Sequence, residues 1–141
     1  MGDVYSNEVR SFIMSSIRSK DTRPEMLVRK FLHKERFRFR LHSKHLSGKP
    51  DIVLAKYKTV IFVHGCFWHG HRNCKAFRPA KSNTAFWELK IATNRERDCE
   101  NVKILSKGGW KVIIIWECEL TKVNLENTLF NLANEIRSVV T

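Results

Sequence analysis

The segment from Lys49 to Cys74 constrains the fold more than any other part of the chain. It reads Lys-Pro-Asp-Ile-Val-Leu-Ala-Lys-Tyr-Lys-Thr-Val-Ile-Phe-Val-His-Gly-Cys-Phe-Trp-His-Gly-His-Arg-Asn-Cys. Two apolar runs, Asp51–Leu54 and Thr59–His64, are separated by only four residues, which predicts an antiparallel hairpin. In such a hairpin position 51 lies opposite about position 62, so we expect Asp51 close to Val63 and His64.

Periodic patterns on both sides of the hairpin predict an α/β domain. Helices are predicted over residues 7–19, from Thr22 onward, over Thr84–Lys107 and over 123–137. The alternating run Phe37–Leu41 predicts a half-buried strand, and the apolar run Trp110–Trp116 predicts a central strand buried on both faces. The order of elements favours a small mixed central sheet flanked by helices, in one domain spanning residues 1–141.

The charge balance indicates an anionic partner. Twenty-six Lys and Arg residues against fourteen Asp and Glu residues give a net charge of +12. Nucleic acid suits this excess best, although an acidic protein or a membrane surface would also satisfy it. The sequence has no apolar stretch long enough to span a membrane and no apolar run typical of a signal peptide. We therefore expect a cytosolic protein, in which the four cysteines are metal ligands or thiols before disulfides.

Asp51 is the first candidate catalytic residue. It begins an apolar strand, where a carboxylate is costly unless it is paired or bound to a metal. A divalent ion held by Asp51 could stabilise charge on a phosphate, and a nearby histidine could activate water. Of His64 and His69, the loop residue His69 is the better candidate for a general base. The alternatives are a structural Asp51 and histidines that only fill hydrogen-bonding positions.

Cysteine and histidine spacing favours a structural zinc site. The candidate ligands are Cys66, His71, Cys74 and the distant Cys118. His69 could replace His71 as a ligand, and buried free cysteines are the alternative to a metal site. Cys99 lies inside the long predicted helix and is expected to be a packed thiol.

Several of these motifs together resemble the very-short-patch-repair endonucleases. The resemblance runs from about residue 9 to residue 120 and rests on Gly48–Val53, Val60–His69, Phe86-Trp87, Asn94–Asp98 and Ile115–Cys118. It implies a restriction-endonuclease-like fold with a zinc site. It also implies magnesium-dependent nicking of duplex DNA on the 5′ side of the thymine in a T·G mismatch. Such mismatches arise by deamination of 5-methylcytosine, and the family favours them within CT(A/T)GG-like sites.

The resemblance also assigns catalytic roles. It implies that Asp51 and the main-chain carbonyl of Val63 bind Mg²⁺. His69 takes the role of general base, with His64 and Glu25 assisting. The zinc ligands would be Cys66, His71, Cys74 and Cys118.

For DNA binding, the resemblance implies an aromatic wedge and two residues that read the mismatch. Phe67, Trp68 and Trp87 match the aromatic residues that insert into the base stack from the major groove. Met14, on a DNA-contacting N-terminal helix over residues 1–20, matches a residue that enters from the minor groove. Lys90 and Asn94 match residues that read the mismatched pair, and their spacing of four places them on one helix face.

The alternatives are a related restriction-type nuclease with another target and a zinc-stabilised DNA-binding module without catalysis. The expected partner is double-stranded DNA with a T·G mismatch, and contacts with other mismatch-repair proteins would be compatible with this role. A single asymmetric nick suits a monomer. The expected location is the bacterial cytoplasm, at the nucleoid when the protein acts on DNA.

Overall fold

A computed structural model describes residues 22–72, 74 and 82–138. The predicted helix over 7–19, the DNA-contacting segment 1–20 and Met14 lie outside the described residues. The elements, in chain order, are α1 (Arg23–Lys34), β1 (Arg40–Leu41), β2 (Ile52–Leu54), β3 (Thr59–His64), α2 (Thr84–Lys107), β4 (Lys111–Trp116) and α3 (Leu125–Arg137). None of the described helices is long and apolar enough to cross a membrane.

The sheet has the strand order β1-β2-β3-β4 and is mixed. β2 is antiparallel to both β1 and β3, whereas β4 is parallel to β3. Ile52 pairs with Ile61, so the hairpin register confirms the prediction that residue 51 lies next to position 62. The connection is a 3-10 turn over Ala55–Tyr57 followed by Lys58 with a φ of 51°.

Helices cover both faces of the sheet, which confirms the predicted α/β architecture. On one face α1 and α3 pack on β2, β3 and β4 through buried aliphatic side chains such as Val28, Leu32 and Ile136. On the other face Leu105 of α2 packs against Val60 and its neighbours in the sheet. Burial of these side chains, at about 25 cal/mol per Å² of apolar surface, is the main stabilising contribution to this arrangement.

The helix ends agree with the sequence signals. Thr22 Oγ1 accepts a hydrogen bond from the N–H of Glu25 at 3.4 Å and caps α1. α2 begins at Thr84 and ends at Lys107 as predicted, and Gly109 follows with a φ of 87°. Glycine adopts this left-handed conformation without a steric penalty, so the Gly-Gly pair ends the helix.

Two strand predictions were wrong in detail. β4 is an edge strand of the sheet among the described residues, and the interior strands are β2 and β3. An apolar run does not distinguish a central strand from an edge strand covered by helices, and here only Ile113 and Ile115 of β4 are buried. The predicted strand Phe37–Leu41 is confined to Arg40–Leu41, although Phe37 is buried as expected.

Candidate active site and metal centre

Asp51 lies at the start of β2, where the neighbouring strand β3 holds its carboxylate. Its Oδ2 accepts a hydrogen bond of 2.7 Å from the N–H of Val63. The antiparallel register creates this contact, because position 51 meets the C-terminal half of β3. Asp51 and Val63 both line a cavity of about 460 Å³, together with His64 and His69.

Glu25 lies beside Asp51 and His42. Its side chain is 1% exposed, and its Oε2 is 2.8 Å from His42 Nε2 and 3.3 Å from Arg29 Nη1. The potential ligand atoms of Glu25, His42 and Asp51 lie within 4.8 Å of one another. This sequence-predicted assisting residue therefore faces the carboxylate of Asp51.

Burial raises the pKa of Asp51 from 3.8 to about 6, against the opposing effect of the Val63 hydrogen bond. The nearby charge of Glu25 raises the pKa further. Two neighbouring carboxylates are a good fit for a divalent cation, because the cation accepts oxygen ligands and offsets the cost of burying the charge of Asp51. The residues present at this site therefore fit a magnesium ion.

His64 and His69 form a stacked pair next to Asp51. Their ring centroids are 3.7 Å apart and their planes differ by 3°. His69 Nδ1 lies 2.6 Å from Asp98 Oδ2, whereas the buried Nδ1 of His64 has no hydrogen-bond partner in the described part of the chain. Burial is the largest cause that lowers the pKa of His64 to about 4, followed by the charge of His69. His64 is therefore neutral near pH 7.

The stacking also decides what the pair can bind. Asp98, His64 and His69 place ligand atoms within 4.8 Å of one another, a set that could hold a metal ion by composition. However, an ion bound to imidazole lies in the plane of the ring, and two parallel planes do not meet. The stacked pair therefore fits a shared metal ion poorly, and Asp98 holds the Nδ1 of His69.

An aromatic cluster joins the 65–72 loop to the start of α2. Trp87 makes edge-to-face contacts with Phe67 and Trp68, with ring centroids 5.5 and 5.8 Å apart. Trp87 is only 9% exposed, whereas Phe67 and Trp68 are half-buried. Phe86, 59% exposed, extends the cluster outward. Of the three predicted wedge residues, the structure therefore places Phe67 and Trp68 at the surface and Trp87 beneath them.

The two predicted mismatch-reading residues line one cleft with these aromatic rings. The cleft has a volume of about 770 Å³ and includes Phe67, Trp68, Lys90 and Asn94. Lys90 is exposed, whereas Asn94 Nδ2 donates a 2.8 Å hydrogen bond to the main-chain carbonyl of Trp68. Asn94 therefore fixes the position of the loop in addition to any contact with DNA.

The Asp51 cavity and the aromatic cleft share one wall. Val63, His64, His69 and Asp98 line both of them. A polymer lying across this wall could reach Asp51 on one side and the aromatic rings on the other.

The four candidate zinc ligands come together in the structure. Cys66, His71, Cys74 and Cys118 place their ligand atoms within 4.8 Å of one another. Cys118 Sγ and His71 Nδ1 are 3.5 Å apart, close to the separation of about 3.6 Å that Zn–S and Zn–N bonds of a tetrahedral ion require. His69 is held by Asp98 and is not in this group. The donor set of three thiols and one imidazole fits a structural zinc ion.

Neighbouring groups hold these ligands in place. Burial raises the pKa of the Cys66 thiol to about 12 and also raises the pKa of Cys118. The N–H of Cys66 donates a 2.9 Å hydrogen bond to Glu117 Oε1, and the ring of His71 stacks on Trp116 at 3.9 Å. Buried thiols resist ionisation without a cation, so metal binding would release their protons.

Three residues that position the site had no role predicted from the sequence, namely His42, Asp98 and Arg95. Asp98 could have been found from its helical spacing, because residues 90, 94 and 98 share one face of α2. Arg95, one residue further round the helix than Asn94, donates from Nε to the carbonyl of Gly70 at 2.8 Å. No sequence signal pointed to His42. Cys99 was predicted to be a packed thiol, which was wrong, because it lies on the exposed side of α2.

Comparison with known proteins gives the same picture for the fold. The catalytic domain of the homing endonuclease I-Bth0305I superposes with a TM-score of 0.59 over 86% of this chain and 100% of that domain. The sequence identity is 16%, so this likeness concerns the fold alone. It confirms the predicted restriction-endonuclease-like fold.

Sequence comparison is more specific. The type II nicking enzyme V.NmeAIP of Neisseria meningitidis is 52% identical over 141 residues, which cover 99% of this chain and 100% of that enzyme. The DNA mismatch endonuclease Vsr of Escherichia coli is 41% identical over 120 residues, covering 85% of this chain and 76% of that enzyme. A profile described as DNA mismatch endonuclease Vsr matches residues 2–76. The chain therefore belongs to the Vsr family of DNA mismatch endonucleases.

Proposed function

We propose that this protein nicks duplex DNA on the 5′ side of the thymine in a T·G mismatch by magnesium-dependent phosphodiester hydrolysis. The observation that supports the proposal is the wall shared by the Asp51 cavity and the aromatic cleft, which places the candidate catalytic groups next to the candidate wedge residues. The net charge of +12 supplies the attraction to the DNA backbone.

The groups that would hold the cation are Asp51 and the main-chain carbonyl of Val63, as the family resemblance implies. Glu25 faces Asp51 and would be a further oxygen ligand, in place of the assisting role predicted from the sequence. A cation held there would stabilise the negative charge that develops on the phosphate. His69 removes a proton from water as the water oxygen attacks phosphorus and an ester oxygen leaves. Asp98 stabilises the imidazolium that forms on His69, from 2.6 Å away. His64 is neutral and stacks on that ring, so it adds no positive charge.

Recognition of the mismatch would use the aromatic cleft. A mismatched step costs less to unstack than a paired step, so an aromatic wedge favours mismatched DNA. Phe67 and Trp68 are half-buried and would form the outer edge of the wedge, and Trp87 supports them from below. Lys90 and Asn94 stand in the same cleft, where their side chains would meet the mismatched pair. Met14, outside the described residues, would contact the minor groove.

The zinc ion would have a structural role. Cys66, His71 and Cys74 belong to the loop that carries Phe67, Trp68 and His69, and Cys118 follows β4. A metal bound by all four would fix this loop to the sheet and so position both the wedge and the general base. As a monomer acting on bacterial DNA, the protein would work in the cytoplasm at the nucleoid.

The test is nicking of a strand-labelled duplex with one T·G mismatch in CT(A/T)GG, in the presence of Mg²⁺. We expect one cut 5′ of the mispaired thymine. The matched duplex and a chelator-treated reaction serve as controls and should remain uncut. Cutting of the matched duplex, or tight binding without cutting, would contradict the proposal.

A second candidate function differs in the target sequence. The relatives at 52% and 47% identity are named type II nicking enzymes, which favours a mismatch nickase with other flanking bases. A panel of T·G duplexes with varied flanking sequence distinguishes the two, because the second candidate would leave the CT(A/T)GG duplex uncut and cut another member.

A further inference from the structure

A loop over residues 42–50 forms a separate wall of the Asp51 cavity and carries two lysines without an assigned role. Lys44 and Lys49 are exposed and line this cavity, but not the aromatic cleft. Neither forms an ion pair within the ranges that the structure describes. Two unpaired cations therefore stand beside the candidate catalytic carboxylate.

The loop is built as a fixed support for these lysines. The N–H of His42 donates to the carbonyl of Asp51 at 3.0 Å and closes the loop at its base. Leu46 packs against the apolar cluster under α2. Ser47 Oγ donates a 2.9 Å hydrogen bond to Asn101 Oδ1, which ties the tip of the loop to α2. The backbone that carries the lysines is thus anchored at three points.

The backbone conformation next to this tie is unusual. Gly48 and Lys49 have consecutive positive φ angles of 76° and 50°. A Cβ on Gly48 would lie 2.7 Å from Asn101 Nδ2, so only glycine permits the close approach to α2. A non-glycine residue such as Lys49 keeps a left-handed conformation only where its surroundings impose it, which is frequent at ligand-binding sites.

The position of the loop indicates its ligand. The aromatic cleft lies on one side of the wall formed by His64 and His69, and the lysines line only the cavity on the other side. If the wedge holds the mismatched thymine and the cut falls 5′ of it, the strand on the 5′ side of the cut runs through the cavity lined by Lys44 and Lys49. The anionic group they offer is the backbone phosphate.

We propose that Lys44 and Lys49 bind backbone phosphates of the nicked strand on the 5′ side of the scissile bond. Asn101 is a positioning residue that acts through Ser47 to hold the loop against α2. The proposal rests on the proposed function for the direction of the strand, but the phosphate contact itself does not depend on cleavage. The enzyme would then contact the strand on both sides of the cut, through the lysines on the 5′ side and through the wedge on the 3′ side.

The experiment measures binding of the T·G duplex by fluorescence anisotropy over a range of salt concentrations. The proteins are the wild type, Lys49→Ala, Ser47→Ala and the control Lys56→Ala. Lys56 is an exposed lysine in the β2–β3 turn, at the opposite end of β3 from His64. Substrates with one neutral methylphosphonate at the first, second or third phosphate 5′ of the cut locate the contact.

We expect Lys49→Ala to reduce the slope of log Kd against log salt by about 0.9 relative to Lys56→Ala, as for the loss of one phosphate contact. One methylphosphonate should weaken wild-type binding about threefold or more, but Lys49→Ala binding by less than about twofold, because the contact is already absent. For Ser47→Ala, we expect a salt slope and a methylphosphonate penalty between those of the wild type and those of Lys49→Ala.

Equal slopes for Lys49→Ala and Lys56→Ala, or methylphosphonate penalties that are the same in Lys49→Ala as in the wild type, would overturn the proposal. A full methylphosphonate penalty in Ser47→Ala would overturn the positioning role of Asn101 alone. Absence of nicking by the wild type would defeat the proposed function, while the slope comparison would still decide the phosphate contact.

Discussion

Two clusters at the C-terminal end of β3 differ in how well their buried polar groups are satisfied. Around Asp51 and His64, burial works against the charged forms, and His64 Nδ1 is left without a described partner. Around Cys66, the ligands face one another and the N–H of Cys66 is satisfied by Glu117. The unsatisfied groups of the first cluster are typical of a functional site that lowers stability. The satisfied groups of the second are typical of a structural metal site. Substitutions in the two clusters should therefore separate activity from stability.

The largest effect should come from Asp51→Asn. We expect nicking to fall by at least about 1,000-fold, because the amide cannot replace the cation-binding carboxylate. The same change should raise the free energy of unfolding at pH 7 by up to about 3 kcal/mol, since it removes a buried charge but keeps an acceptor for the Val63 N–H. Urea unfolding and a nicking assay measure the two quantities.

The gain in stability from Asp51→Asn should depend on pH. The native pKa of about 6 lies above the ordinary 3.8, so Asp51 costs stability as the pH rises through about 6. The gain should therefore shrink toward zero as the pH falls to about 4. Glu100 is an exposed carboxylate on α2, and Glu100→Gln is the charge control. This variant should change neither the free energy of unfolding nor the rate of nicking. An Asp51→Asn protein that is less stable than the wild type at pH 7 would contradict the conclusion that the buried charge of Asp51 lowers stability.

The second largest effect should come from removing the metal from the cysteine cluster. We expect Cys118→Ser to lose bound zinc and to lower the free energy of unfolding by roughly 3 kcal/mol or more. Atomic absorption and urea unfolding provide the measurements, with the exposed Cys99→Ser as the matched control that keeps its zinc. A Cys118→Ser protein with full zinc content would show that this cluster does not bind the structural zinc.

The third effect concerns Gly70, which lies between the two clusters. Gly70 has a φ of 59°, and a Cβ there would collide with Ile91 Cγ2. We expect Gly70→Ala to destabilise the protein by about 1–3 kcal/mol and to reduce nicking as well, because the loop carries both His69 and His71. A Cβ at Gly65 would make only ordinary van der Waals contacts, 3.7 Å from Trp68 Cδ1 and 3.8 Å from Glu117 Oε1, so Gly65→Ala is the control. Equal stability of the two variants would contradict this expectation.

The smallest effect concerns acid sensitivity. Because the pKa of His64 is about 4 in the native state and 6.5 ordinarily, the unfolded state binds more protons between these values. The stability due to neutral His64 is complete above about pH 6.5 and is lost as the pH falls toward about 4. Between pH 7 and pH 5 the wild type should lose about 2 kcal/mol more than His64→Gln. Parallel pH dependence of the two proteins in urea unfolding would refute this.

Local patterns predicted most of the secondary structure. The start and end of α2, the cap at Thr22 and the hairpin register follow from short-range signals, and all agree with the structure. The position of β4 could not be predicted, because strand order depends on which apolar surfaces the helices cover. The β2–β3 hairpin explains why Asp51 could be placed near Val63 from the sequence, since only four residues separate these two strands.

The partners that tune the site were harder to predict. Asp98 is 29 positions from His69, and His42 is 17 positions from Glu25. Contacts at these separations depend on how α2 and the 42–50 loop pack on the sheet. The roles of the catalytic, DNA-binding and zinc-binding residues remain predictions, which the variants above test.

The sequence by itself determined the family, the α/β architecture, the basic charge and the residue types available for hydrolysis and zinc binding. Those properties depend on composition, short spacings and motifs, which are present in the chain before it folds. Only the tertiary structure decided that His64 stacks on His69, that Asp98 holds the latter and that Trp87 lies beneath Phe67 and Trp68. Burial and the approach of distant segments set these contacts, and with them the pKa values of Asp51 and His64.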